Sequence, residues 1–196
     1  MAGLADGAPG TWEPARDHFA LFGLARDFRI DGRELDSRFR ALQVEVHPDR
    51  FASAGDAERR RSLELATRVN EAYQTLKQPL ARARYLIGLL GSDKDFAHDH
   101  TALPADFLIA QMELREAVAD AAQARDLDQL DRLRDDLDRR LRAHYEELAA
   151  VLERAGSAAG EARAAELRAA EDRIRRLMFE EKLLADIGDA EEALDD

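Results

Sequence analysis

The chain has 196 residues, enough for one domain or two small ones. Its 29 basic and 41 acidic side chains leave a net charge of -12, which argues against non-specific binding to nucleic acid. With 6% aromatic residues, 11 glycines and 5 prolines it lacks the turn and strand material of an all-β fold, and without cysteine it has neither disulfides nor cysteine-ligated metal.

No run approaches the ~20 apolar residues of a membrane span. Met1 to Glu13 holds two acids and no Lys or Arg, unlike a secretory signal or a transit peptide. The absence of cysteine fits a reducing compartment, and the cytoplasm is the expected location. Charge is unevenly placed. Residues 1–95 hold 15 basic and 15 acidic side chains, whereas 96–196 hold 14 and 26, which suggests two units with different surfaces.

Residues 1–13 are small and turn-rich, and read as a disordered tail. A first helix is expected from near Pro14, a first-turn residue, through Phe19, Leu21 and Phe22 to a stop at Gly23. A second opens at Asp31, the cap of an Asp31-Gly32-Arg33-Glu34 box. Leu35, Phe39, Leu42 and Val46 follow at helical spacing as one buried stripe. Pro48 ends that helix, because it has no N–H to donate and biases His47 away from helical dihedrals. A third helix is expected from about Ala57 to Lys77, with Leu65, Val69, Ala72, Tyr73 and Leu76 inward. Pro79 opens a fourth through Leu90, capped by Gly91. The second and third form a helical hairpin with His47-Pro48-Asp49 at its tip.

Residues 92–103 are polar, without apolar periodicity, and mark a junction between domains. Three long helices follow: Pro104 to Ala124, Leu127 to Arg154, and Glu161 to about Asp186, leaving 187–196 as an acidic tail. Short loops between them make a three-helix bundle. In its first helix Phe107, Gln111, Leu114, Val118 and Ala121 share one direction, while Leu108, Ile109 and Met112 point elsewhere at ~100° per residue, flanked by Glu113 and Glu116. In its last helix Leu167, Ala170, Ile174, Leu177 and Met178 share a face, with Phe179 and Leu183 roughly opposite. A small bundle needs one apolar stripe per helix, so the second set is a candidate partner surface, unless it packs on the first domain or widens the core.

Four helices with His47-Pro48-Asp49 between the second and third resemble the J-domain family. Asp17-His18-Phe19-Ala20-Leu21-Phe22-Gly23-Leu24, Asn70 to Leu76 and Pro79 to Leu86 narrow the resemblance to the HscB co-chaperones of iron–sulfur cluster assembly. It continues through Phe107 to Glu116 and Leu177 to Leu183, covering about residues 17–185. The resemblance implies an all-α fold with a J-domain over 14–91 and a scaffold-binding three-helix bundle over 104–186, in an L-shaped arrangement. It implies a DnaK-type chaperone, HscA, as one partner, engaged through His47, Pro48, Asp49 and Arg50 with Arg33, Arg38 and Arg40. It implies the IscU scaffold as the other, engaged through Leu108, Ile109, Met112, Glu113, Glu116 and Phe179. It implies a monomer, no cofactor, no membrane contact and no catalytic activity of its own. The alternatives are a J-domain protein with another client and a helical scaffold without chaperone activity.

Two positions and one segment depart from the family pattern. Arg50 stands where many J-domains have Lys, which keeps the charge and changes donor geometry. His18 stands where Tyr is common. The second helix ends Gln43-Val44-Glu45-Val46, with fewer basic residues than many J-domains, so Arg33, Arg38 and Arg40 would carry more of the contact. Asp95, His98, Asp99 and His100 are zinc-ligating residue types but lack the spacing of a four-ligand site, and read as a solvated loop. Arg59-Arg60-Arg61 and Asp135-Asp136 read as solvated helix faces. No phosphate loop, nucleophile elbow or Ser–His–Asp signal points to an enzyme.

Overall fold

The computed structural model describes residues 17–51, 55–98, 101 and 103–195. The N-terminal expectations, including the tail over 1–13 and a helix start at Pro14, lie outside them. Every described element is a helix: α1 His18–Leu21, α2 Gly32–Val46, a 3-10 turn at Pro48–Phe51, α3 Asp56–Lys77, α4 Pro79–Leu89, α5 Ala105–Ala124, α6 Leu127–Ser157 and α7 Gly160–Asp195. The chain divides into two compact units between Lys77 and Gln78.

In the first unit Asp17 caps the short α1, accepting from Ala20 N–H at 2.9 Å. Asp31 caps α2, accepting from Arg33 N–H at 2.8 Å and Glu34 N–H at 3.4 Å. Polar contacts between α2 and α3 run in opposite chain directions. Val46 meets Ser62, Gln43 meets Asn70, and Asp36 meets Tyr73 and Lys77. The two helices are therefore antiparallel. Phe39 stacks on Tyr73 with ring centroids 3.9 Å apart. Phe19, Phe22, Leu35, Val46, Val69, Ala72 and Leu76 are buried; Leu42 is only half-buried. Arg38 donates to the carbonyl of Phe22 and pairs with Glu34, pinning α2 to the turn after α1. Gly23 takes a φ of +62°, and a Cβ there would stand 2.6 Å from the Arg38 guanidinium.

In the second unit α6 and α7 are the main pair. Arg134–Glu191, His144–Glu180 and Arg154–Glu166 contacts show them antiparallel. Leu130, Leu137, Leu141, Leu148, Val151 and Leu152 of α6 are buried, as are Leu167, Ala170, Ile174 and Leu177 of α7. α5 packs on both. Two features differ from the sequence division at 92–103 and 187–196. α4 packs on α7, burying Ala83, Leu86 and Ile87 within this unit. α7 runs on through Asp195, because Ile187 is buried and Arg134 holds Glu191.

Candidate chaperone and client surfaces

The tip of the α2–α3 hairpin is built by the end of a helix. His47 leaves α2 with φ -60° and ψ 128°, and the chain turns at once into the 3-10 turn. The Arg50 N–H donates to the His47 carbonyl at 3.0 Å, closing the turn. The Asp49 N–H donates to His47 Nδ1 at 3.3 Å, so in the neutral ring the proton sits on Nε2. The side chains of His47 and Asp49 are 58% and 91% exposed. One donor and one carboxylate are thus exposed together at the tip. Arg50 Nη1 donates to the Val44 carbonyl at 3.3 Å, where a cation suits the end of a helix.

The basic residues of α2 divide. Arg33 and Arg40 are exposed on its surface. Arg38, expected beside them, is tied to Phe22 and Glu34. Sequence reasoning missed Ser62, a buried hydroxyl that donates to the Val46 carbonyl at 2.7 Å. A Ser on the face of α3 that carries Leu65, Val69 and Leu76 was the available signal.

On α5, Gln111, Leu114, Val118 and Ala121 are buried, as their phase predicts. Leu108, Ile109 and Met112 are 38%, 57% and 61% exposed, and Phe179 of α7 is 39% exposed. These are four of the seven large apolar side chains exposed among the described residues; three share α5, and Leu108 and Phe179 line one cleft. Glu113 and Glu116 are exposed on the same helix. Phe107 fixes Phe179 from one side, edge-on with centroids 6.4 Å apart, and Arg176 lies over the Phe107 ring at 5.3 Å. Leu183 corrects the sequence reading: it is 1% exposed and belongs to the core. α7 is contacted by α4, α5 and α6, so one stripe does not describe its buried surface.

Glu180, next to Phe179, is 3% exposed and was not anticipated. Its carboxylate meets His144 Nδ1 at 2.8 Å. The neighbouring Tyr145 hydroxyl donates to Glu181; burial and that carboxylate push the phenol well above its usual range. In the segment between α4 and α5, Asp95 pairs with His98 at 2.7 Å, which holds the Asp95 carboxyl below its usual range. Asp99 and His100 lie outside the described residues. Among the described residues no group of three His, Asp or Glu could hold a metal ion, and no helix is long and apolar enough to cross a membrane.

Comparison with known proteins gives one answer. The family model described as the HSCB C-terminal oligomerisation domain matches residues 103–188. A protein of Paraburkholderia phymatum named as a co-chaperone HscB homolog is 45% identical, over 91% of this chain and 95% of the relative. The Ralstonia nicotianae protein of the same name is 47% identical, over 91% and 96%. Among solved structures, chaperone HscB from Vibrio cholerae matches with a TM-score of 0.78 at 35% identity, over 91% of this chain and 99% of that one. Human co-chaperone HscB matches with a TM-score of 0.78 at 26% identity, over 90% and 82%.

Proposed function

We propose that this chain, which belongs to the HscB family of co-chaperones, brings an IscU-type scaffold to a DnaK-type chaperone of the HscA kind during iron–sulfur cluster assembly in the cytoplasm. The observation that carries the reading is the presence of two exposed and chemically distinct surfaces on one chain. The first is the polar tip at His47 and Asp49. The second is the apolar patch of Leu108, Ile109, Met112 and Phe179.

The two surfaces have separate tasks. At the tip, His47, Pro48 and Asp49, with Arg50, Arg33 and Arg40, bind one nucleotide state of the chaperone better than another. That difference in affinity is what shifts the chaperone toward hydrolysis, so the chain needs no catalytic group of its own. At the patch, apolar burial supplies affinity, while Glu113 and Glu116 at its border select a partner with basic groups and speed encounter. The chaperone sees the scaffold at raised effective concentration because one chain holds both.

The test is calorimetric titration of the purified chain with an IscU-type scaffold, joined to a single-turnover ATPase assay with an HscA-type chaperone. Specific scaffold binding is expected, together with stimulation that His47→Gln removes. Absence of scaffold binding, or stimulation that survives His47→Gln, sinks the reading. The description of the matching family model favours a second reading, in which the patch joins two copies of this chain. Sedimentation separates them: a monomer at scaffold-binding concentrations supports the client reading, and a dimer abolished by Phe179→Ala supports self-association.

A further inference from the structure

The described residues between α4 and α5 are held to the second unit at Ser92, Phe96 and Leu103. Ser92 Oγ donates to Glu171 Oε1 of α7 at 2.6 Å and accepts from the Lys94 N–H at 3.2 Å. Lys94 Nζ reaches Thr101 Oγ1 at 3.2 Å. Arg84 of α4 lies over the Phe96 ring at 5.2 Å, and both Phe96 and Leu103 are buried. Between this wall and the helices lies a cleft of about 300 Å³, lined by Phe96, Thr101, Leu103, Leu108, Met178 and Phe179. Among the described residues, Thr101 and Arg175 are the polar side chains of its lining.

We infer that this cleft is the anchor point of the client surface and takes one large apolar side chain, aromatic or long aliphatic, from the client protein. The inference rests on the reading of the patch as a client surface. Three observations carry it. Leu108 and Phe179 belong to the exposed patch and to the cleft lining at once, so the two surfaces are continuous. The volume, about twice the ~150 Å³ of a cavity that holds a benzene ring, has room for a large side chain and not for a helix or strand. Binding energy concentrates where an anchor enters a pocket ringed by contacts that exclude water, and Ile109 and Met112 are exposed on the same helix as Leu108 of the lining.

Charge argues for a client over a second copy. A two-fold contact through the patch would bring Glu113 and Glu116 of both copies together in a chain of net charge -12. A less acidic client meets no such repulsion.

Thr101 is exposed at the cleft, so Thr101→Trp fills it without entering the core. Calorimetry against an IscU-type scaffold should show affinity at least tenfold weaker for Thr101→Trp and within twofold of the parent for Thr101→Ser. The double substitution Ile109→Ala with Met112→Ala should weaken it as well. If that double variant loses affinity while a folded Thr101→Trp keeps it, the client lies on α5 without using the cleft: the inference is overturned and the proposed function stands. In the unsubstituted chain, the Met178 methyl resonance should shift on adding scaffold, and an unshifted resonance in the bound complex also overturns it. No scaffold binding to the unsubstituted chain overturns both readings. A dimer that Thr101→Trp dissociates assigns the cleft to a second copy and overturns the client assignment.

Discussion

Ser62 of α3 donates its buried hydroxyl to the carbonyl of Val46, the last residue of α2, at 2.7 Å. That carbonyl is one of the four a helix C-terminus leaves without an internal partner, and here it is buried beside the His47 turn. The bond therefore ties the start of the His47 turn to the opposite helix. Ser62→Ala strands a buried acceptor at a cost of about 1–3 kcal/mol. Urea unfolding should show that loss. Single-turnover assays should show weaker chaperone stimulation even where the chain is fully folded, since the turn is less firmly held. Unchanged unfolding would mean that water replaces the hydroxyl.

Arg38 has an internal task that separates it from Arg33 and Arg40. Its guanidinium reaches the Phe22 carbonyl and crowds Gly23, so part of its charge is committed to joining α1 and α2. A bond from a charged donor contributes about 1.5–3 kcal/mol, whereas its exposed pair with Glu34 contributes about 0–1 kcal/mol. Arg38→Ala should therefore lower the unfolding midpoint of the chain. Arg33→Ala with Arg40→Ala should leave the midpoint in place and weaken the chaperone contact most at low salt. The reverse pattern would return Arg38 to the contact face.

His18 makes the stability of the first unit depend on pH. Burial is the larger cause and the nearby Arg68 the second, and together they hold its pKa below 6.5, with Asp17 and Glu71 opposing. The folded state then favours the neutral ring, while the unfolded chain takes up the proton first as pH falls. Stability contributed by the neutral ring is fully present above pH 6.5 and is lost as pH falls from there through the folded pKa. Urea midpoints at about pH 7.5 and 5.5 should differ, and His18→Phe should narrow that difference. An equal difference in the variant would assign the slope to other groups.

Much of this architecture is legible in the sequence because helix ends are marked locally. Asp31, Pro79 and Pro104 each mark a start within a residue or two of where the helix begins. The phase of α5 separated Gln111 and Leu114 from Leu108 and Met112 because α5 has one buried face. Phase failed at Leu183, because α7 is covered by three helices and buries residues all around. The task of Arg38 depends on a carbonyl 16 residues away, and the wall at Phe96 on contacts with α4 and α7. Neither leaves a periodic trace. The partner of α4 is likewise long-range: Pro79 announces the helix but not the surface it meets.

His144 and Glu180 form another contact that no pattern announced. Glu180 is 3% exposed, so its carboxylate has given up most of its water. His144 keeps more, with 38% of its side chain exposed, and that exposure moderates what the pair contributes. His144→Ala leaves the carboxylate buried with a bond fewer, at an expected cost of about 2 kcal/mol. Replacing both, as His144→Phe with Glu180→Leu, should recover most of that loss, because a packed apolar pair has no charge to desolvate. Unfolding midpoints of the single and double variants check the sign of this recovery. Scaffold affinity should stay unchanged in every folded variant, because Phe179 projects about 100° around α7 from Glu180. A loss of affinity without a loss of stability would instead make Glu180 a support for the Phe179 ring.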